Sequence, residues 1–281
     1  MDPRRGWLRS AIGAIVLISG VGGCSDDDDI TGPPSFDPVP VVTPDQLRAA
    51  LAQATGVSAD PVPDGNAGLN FNMWATVVDT AGIVVAVVYT GAKEGDQWQG
   101  SRLLSAQKAT TALNYSLDAA YAGFSGLALS TANLYSATQP GGSLFGLQEA
   151  NPINEAVAYG GNIADYGTPN DYMVGRRIGG TNVFGGGFAL YDAAGNLVGS
   201  VGVSGDTSCA DHNVGWKTRF YLNLDNIPAG VAPGGTDNII YDITGGVSAS
   251  GFGHPHCLDA AAESAVADDL PVSFPVGVPT T

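Results

Sequence analysis

Basic residues are scarce in this chain of 281 residues, which has 11 Lys and Arg against 27 Asp and Glu and a formal net charge of −16. A protein that binds nucleic acid needs a stripe of positive charge along one face. The composition therefore argues against nucleic-acid partners. The acidic excess favours solubility, and we interpret it as a solvated surface rather than as a cation-binding one.

Several motifs that identify cofactor proteins and enzymes are also missing. The chain contains no P-loop, no dinucleotide-binding fingerprint and no Gly-x-Ser-x-Gly elbow. It lacks Cys-x-x-Cys-His as well, which excludes covalent attachment of a c-type haem. The chain does contain 44% hydrophobic residues with 40 Gly and 17 Pro, which indicates a globular protein with many turns.

The first residues are typical of an export signal. Three arginines within the first nine residues precede an apolar run over residues 11–21, which is too short to span a bilayer. The run leads into Val-Gly-Gly-Cys, which resembles a bacterial lipoprotein box and predicts lipidation of Cys24. We expect a signal peptide over 1–23, an acidic, Pro-rich tether over 24–42, and a lipid anchor in a bacterial membrane, facing the periplasm or the cell exterior. The alternative is a conventionally secreted protein in which Cys24 is incidental.

Two cysteines, Cys209 and Cys257, remain once Cys24 is set aside. A pair of cysteines in an exported protein predicts one disulfide. Closing a loop of this length would stabilise the fold by about 4 kcal/mol in the chain-entropy model. The alternative is a pair of metal or haem ligands, which an oxidising compartment disfavours.

Local patterns predict hairpins and helices. Thr43, followed by Pro and Gln at the capping-box positions, begins a helix. Residues 71–89 and 188–203 each form a strand–turn–strand pattern, with turns Asp-Thr-Ala-Gly and Asp-Ala-Ala-Gly. Small apolar residues at the helical period predict the longest helix over 101–121, and a last helix is supported only over 259–267.

The segments between these elements contain few basic residues and show little hydrophobic periodicity. Residues 144–180 are rich in turn residues and predict a long ordered loop over the sheet, while 237–243 predicts a short strand. Lys108 lies one position off the apolar stripe of its helix, so we interpret it as a solvated lysine. Arg176 and Arg177 are expected to pair with local aspartates, and the alternative is that they bind a carboxylate or phosphate.

The densest set of reactive groups follows the second hairpin. The chain becomes polar there, with Ser204, Asp206, Cys209, Asp211 and His212 within nine residues. A turn rich in Ser and Asp after a strand is usually structural. These are nevertheless the residue types needed for acyl transfer or for binding a metal.

Four stretches follow one another along these elements: WATVVDTAG at 74–82, SAQKATTA at 105–112, the Gly-Gly start of the second hairpin at 186–187, and VGSVGVSG at 198–205. In this order they resemble the GlcG/HbpS-type haem-binding proteins. It implies an α/β (α+β) fold with an antiparallel sheet flanked by helices, often assembled as a homo-oligomer. It also implies binding of haem or a related tetrapyrrole.

This chain departs from the family pattern in its leader, in a long insertion before the second hairpin, and in a C-terminal extension containing Gly-His-Pro-His-Cys. We expect a single domain over residues 43–270 with long loop insertions, followed by a tail over 271–281.

The three histidines, His212, His254 and His256, are the predicted haem or metal ligands. A disulfide between Cys209 and Cys257 would bring the loops that carry His212 and His256 together. The competing interpretation is a stapled pair of loops whose histidines hydrogen-bond to the backbone.

Two further functional hypotheses follow from the same residues. One is a structural or partner-binding lipoprotein without a cofactor. The other, which we favour less, is a hydrolase that uses Ser204 and His212. The sequence favours a binding protein over an enzyme.

Overall fold

The two predicted hairpins form and pair with each other to make one antiparallel sheet. The computed structural model describes residues 33–56, 65–121 and 126–277. The strands are β1 (Trp74–Asp79), β2 (Val84–Tyr89), β3 (Gly187–Tyr191) and β4 (Leu197–Ser204), and their order in the sheet is β2-β1-β4-β3. The hairpins join through β1 and β4, with Trp74 opposite Ser204.

Both hairpin turns are closed by the chemistry that the sequence predicted. The carboxylates of Asp79 and Asp192 each accept hydrogen bonds from the amides two and four residues later. Gly82 and Gly195 then take φ values of +73° and +79°, which a residue with a side chain rarely adopts.

Seven helices lie within the described residues. They are α1 (Pro44–Thr55), α2 (Gly100–Tyr115), α3 (Tyr135–Thr138), α4 (Leu147–Ala150), α5 (Glu155–Ala158), α6 (Ser208–Tyr221) and α7 (Ala260–Ser273). Two short strands, β5 (Ile243–Thr244) and β6 (Val247–Ser248), form a separate hairpin. The predicted capping box at Thr43 is present and begins α1.

Helices cover both faces of the main sheet, which explains why β1 is buried along its whole length. Ala75 and Val77 of β1 belong to a core cluster that includes residues of α1 and α6. Trp74 and Val78 belong to a second cluster, on the opposite face, that includes residues of α2. The segment 153–178 also packs on this second face, so the predicted loop over the sheet is confirmed and contains short helices.

Several boundaries differ from the sequence prediction. Helix α2 ends at Tyr115, six residues early, and residues 237–242 form no strand. Helix α7 continues to Ser273, past the predicted end, and includes Pro271. The polar stretch after β4 is not a loop, because Thr207 caps a helix there by accepting a hydrogen bond from the amide of Ala210.

Part of the segment that was predicted as a tether contacts the domain. Within residues 33–42, the Phe36 amide donates to the carbonyl of Gly175, and the Val39 amide donates to Asp79. This part of the chain therefore packs on the domain. The predicted signal peptide (1–23), Cys24 and the rest of the predicted tether lie outside the described residues. No helix within the described ranges is long and apolar enough to cross a membrane.

Candidate functional site

The C-terminal extension folds back onto the first turn of α6, as the predicted disulfide requires. Cys209 of α6 and Cys257 of the loop before α7 have sulfurs 2.06 Å apart and Cα atoms 6.0 Å apart. The loop that carries two of the three histidines is thereby held beside the end of β4.

His254 is buried in this junction and has a partner at each ring nitrogen. Nδ1 lies 2.7 Å from the carbonyl oxygen of Pro255, and Nε2 lies 2.7 Å from Oγ of Ser208. Because a carbonyl can only accept, we assign the proton to Nδ1, so that Nε2 accepts from the Ser208 hydroxyl. Burial lowers the pKa of His254 to about 4, and the ring is therefore neutral at neutral pH.

His256 is part of a different set of contacts. Its Nδ1 lies 2.8 Å from Glu263, and its ring stacks on Tyr241 with centroids 4.0 Å apart. The buried Glu263 carboxylate also accepts hydrogen bonds from the amides of Cys257 and Leu258. Glu263 and the disulfide therefore hold the loop through separate contacts.

His212 lies inside α6 and not in a loop, contrary to the prediction. Its Nε2 accepts a hydrogen bond of 3.0 Å from the Ile239 amide and lies 3.1 Å from Oδ1 of Asn238. Burial lowers the pKa of His212 to about 3. Its Nδ1 has no hydrogen-bond partner among the described residues.

The structure therefore brings together a different set of potential ligands from the predicted pair His212 and His256. Among the described residues, the ligand-type atoms that lie within 4.8 Å of one another belong to Cys209, His254 and Cys257. His212 and His256 contact separate partners. The role of the three histidines as haem ligands remains a prediction.

A groove of about 720 Å³ opens beside this junction, between residues 135–143 and the β5–β6 hairpin. Its walls include Tyr135, Ala137, Pro140, Ile243, Val247 and Pro255. The Tyr135 ring lies 5.0 Å from the ring of His254, centroid to centroid. Among the described residues that line this groove, Tyr135 alone belongs to the types which ligate haem iron.

Tyr135 was not among the predicted site residues. The sequence places it in a connector without strong periodicity, ahead of a Pro-Gly-Gly turn at 140–142. Such a turn indicates a loop, but it does not reveal which distant segment packs against it. That segment is the β5–β6 hairpin, about a hundred residues further along the chain.

Lys108 is not solvated, which corrects the sequence interpretation. Its side chain is 1% exposed, and its Nζ lies 2.6 Å from Oδ2 of Asp211 and 3.1 Å from the carbonyl oxygen of Val203. Oδ1 of Asp211 accepts from the amides of Gly205 and Asp206. Burial raises the pKa of Asp211 to about 6 and lowers that of Lys108, while their mutual attraction opposes both shifts.

Two arginines also form buried ion pairs that the sequence did not reveal. Arg102 donates to Asp171, and Arg219 donates to both carboxylate oxygens of Asp237 at 2.6 and 2.7 Å. The partners are distant in sequence, so helical periodicity gives no sign of them.

The two arginines that were expected to pair with aspartates bind backbone carbonyls instead. Arg176 donates to the carbonyl of Tyr172 at 2.8 Å and lies over its ring, while Arg177 donates to the carbonyl of Ala81 at 2.7 Å. No carboxylate lies within salt-bridge distance of either arginine among the described residues. The long segment that they occupy is therefore held by main-chain contacts.

The hydrolase hypothesis lacks its central contact. Ser204 Oγ lies 3.4 Å from Asp211, whereas His212 faces Asn238 and Ile239. No hydrogen bond joins Ser204 to His212 in the part of the chain that the structure describes. The nucleophile–base pair that acyl transfer needs is therefore not formed by these two residues.

Comparison with known proteins identifies one family. A family model described as haem degrading protein HbpS-like matches residues 64–218, more than half of the chain. No curated protein matches this chain significantly. The matched segment contains the whole main sheet and α2, while β5, β6 and Cys257 lie beyond it.

Two solved structures resemble this chain. A crystal structure of a PduOC–haem complex is 20% identical, with a TM-score of 0.41, and the match covers 64% of this chain and 91% of that one. The Klebsiella pneumoniae protein ORFY is also 20% identical, with a TM-score of 0.39, and the match covers 64% and 90%.

Proposed function

Because this chain belongs to the HbpS-like family, we propose that it binds haem noncovalently. The single observation that supports a place for the haem is the groove beside His254, because Tyr135 lines it. A haem bound there would supply a redox-active iron in a large conjugated ring. The alternative, a partner-binding scaffold without a cofactor, predicts no haem complex.

The residues of the groove fit such a ligand. Ala137, Pro140, Ile243 and Val247 offer apolar surface to a porphyrin. The hydroxyl of Tyr135 makes no hydrogen bond within the described residues, so its oxygen is available. No Lys or Arg is found among the described residues that line this groove, and we therefore expect the two haem carboxylates to be solvated.

We propose Tyr135 as the iron ligand and His254 as the residue that positions it. The His254 ring packs against Tyr135 and is itself held at both ring nitrogens. His212 and His256 contact residues that do not line the groove, and we therefore rank them below Tyr135. His254 is the first alternative ligand, because its ring lies 5.0 Å from that of Tyr135, centroid to centroid.

An absorbance titration with ferric haem tests this proposal. We expect a saturable change in the Soret band at one haem per chain. Tyr135→Phe keeps the ring and removes the oxygen, and it should weaken binding at least tenfold and alter the spectrum. Tyr159→Phe is the matched control, because Tyr159 is 69% exposed and lies outside the groove.

Three results separate the possible outcomes. A lack of saturable uptake by the wild type would support the scaffold hypothesis. Wild-type affinity in Tyr135→Phe together with a lost complex in His254→Gln would transfer the ligand role to His254. Incubation of the complex with a reductant and oxygen distinguishes binding from degradation, because a degrading protein would bleach the Soret band faster than free haem does.

We also propose that the protein is exported and held to a bacterial membrane by lipid on Cys24. The basic, short apolar leader and the Val-Gly-Gly-Cys sequence support this proposal. Fractionation of cells that express the wild type and Cys24→Ser tests it, and the variant should leave the membrane fraction. Equal membrane association of both would exclude lipid on Cys24. Sedimentation of the purified protein tests the homo-oligomer that the family resemblance implies.

A further inference from the structure

The junction between α6 and the C-terminal loop holds a donor set that suits a soft metal ion. One ligand atom from each of Cys209, His254 and Cys257 lies within 4.8 Å of the others. Cys209 and His254 are buried, and Cys257 is half-buried. Two sulfurs and one imidazole nitrogen are ligands that Zn²⁺ prefers in proteins. This donor set does not include Tyr135, the proposed haem ligand, but its His254 contacts the Tyr135 ring.

The loop keeps its position through contacts other than the disulfide. The Glu263 carboxylate accepts from the amide of Cys257 at 3.0 and 3.1 Å and from that of Leu258 at 2.6 Å. Ser136 donates to the carbonyl of Gly253 at 2.6 Å, which holds the other side of the loop. Breaking the bond between the sulfurs therefore leaves both thiols next to His254.

The surroundings orient the ligands. One nitrogen of His254 can bind the metal while the other keeps its hydrogen bond, either to Ser208 or to the carbonyl of Pro255. Such outer contacts fix the orientation of a histidine ligand. The Cys209 amide, in the first turn of α6, donates to Sγ of Cys257 at 3.1 Å. A helix N-terminus of this kind stabilises a thiolate.

The charges also balance. Two thiolates and a neutral imidazole around a divalent ion have no net charge. A neutral assembly suits a buried site, where an uncompensated charge would be costly. Three protein ligands leave one position of a tetrahedral ion open, to be filled by water.

We infer that Cys209, His254 and Cys257 form a binding site for Zn²⁺ or a similar ion once their disulfide is reduced. A dithiol or phosphine reductant supplies two electrons. A dithiol gives its two electrons and two protons to the S–S bond and becomes a disulfide, while a phosphine takes the oxygen of one water, whose two protons go to the sulfurs, and becomes a phosphine oxide; either step leaves two thiols. The metal then displaces one proton from each thiol. In the oxidised protein the same sulfurs are bonded to each other, and the site is closed.

Cobalt binding to the full-length protein tests this inference without haem. A Cys24→Ser background leaves Cys209 and Cys257 as the only thiols. We expect phosphine-reduced protein to show thiolate-to-cobalt absorption that saturates at one Co²⁺ per chain and disappears when Zn²⁺ is added. The oxidised protein should show none. Failure of the reduced protein to develop this absorption would overturn the inference.

Two histidine variants make the test specific to the folded site. His254→Gln should weaken Co²⁺ binding at least tenfold, while the matched variant His256→Gln, in the same loop, should bind as the parent does. A reduced and unfolded chain would use either histidine, so equal effects of the two substitutions would contradict the proposed site. Circular dichroism of the reduced protein confirms that the fold is present during the titration. The haem titration has a separate readout, so one proposal can fail without the other.

Discussion

The buried pair of Lys108 and Asp211 gives the sharpest prediction. Their side chains are 1% and 3% exposed, and the Lys108 ammonium is the only cation within salt-bridge distance of Asp211 among the described residues. Lys108→Met keeps the length and apolar character of the stem but leaves the carboxylate buried without its counter-ion. Removing one partner of a buried pair costs about 3–5 kcal/mol. We expect the free energy of unfolding to fall by that amount at pH 7.

The size of this loss should depend on pH in a defined direction. Burial already raises the folded-state pKa of Asp211 to about 6, from an ordinary value of 3.8, with Lys108 present. Without Lys108 this pKa rises further. The folded variant then binds a proton that the unfolded chain releases at lower pH, so its stability falls as the pH rises through the folded-state pKa. The cost of Lys108→Met should be larger at pH 8 than at pH 5.

Urea unfolding of four proteins measures this coupling. They are the wild type, Lys108→Met, Asp211→Asn and the double variant, each at pH 5 and pH 8. The double variant should lose less than the sum of the two single losses, because it leaves no uncompensated charge. Asp45→Asn is the exposed control: Asp45 is 97% exposed in its pair with Arg48, and such pairs contribute less than about 1 kcal/mol.

The reasoning would be refuted by either of two results. One is a loss in Lys108→Met no larger than that in Asp45→Asn. The other is strict additivity of the Lys108 and Asp211 substitutions, which would mean that the two groups do not interact. A larger loss at pH 5 than at pH 8 would contradict the assigned direction of the Asp211 shift.

Three further predictions concern the histidines, the disulfide and the packing of α2. Burial lowers the pKa values of His212 and His254 from 6.5 to about 3 and about 4. Acidification from pH 7 to 5 therefore protonates these histidines in the unfolded chain first, and the free energy of unfolding should fall by about 2 kcal/mol per histidine. Urea unfolding of His212→Gln and of His254→Gln should show a smaller pH dependence than that of the wild type. Replacing Cys209 and Cys257 by Ser should lower the free energy of unfolding by about 4 kcal/mol, and a loss under about 1 kcal/mol would contradict the chain-entropy estimate. Gly202→Ala should destabilise by about 1–3 kcal/mol in thermal unfolding, because an added Cβ would overlap a backbone carbonyl of α2; an unchanged midpoint would show that α2 can move away.

Features that depend on neighbouring residues could be predicted from the sequence. The capping box at Thr43 and the turns that begin at Asp79 and Asp192 are formed by groups within four residues of each other. Their hydrogen bonds require little from the rest of the fold. The disulfide between Cys209 and Cys257 followed from there being two candidate cysteines in a chain predicted to be exported.

The start of α6 is a local feature that the sequence prediction missed. Thr207 is an N-cap residue, and its hydroxyl accepts from an amide three residues later. The polar residues of this first turn nevertheless suggested a loop. They are buried in a helix because their partners come from β4, α2 and the C-terminal extension. The Nε2 atom of His212, for example, contacts Asn238 and Ile239.

The amino-acid sequence was sufficient to predict the two hairpins, the capping of α1, the cysteine pair and the resemblance to the HbpS-like family, because each depends on short spacings or on composition. Three other features became visible only in the folded chain: Lys108 is buried against Asp211, Tyr135 lines a groove, and His254 lies beside two cysteines. Each of these depends on groups between about 45 and 110 residues apart in the sequence. Periodicity indicates which face of a helix is apolar, but it does not identify the distant carboxylate or hairpin that packs against the helix. That partner is determined by the packing of the whole sheet and its covering helices.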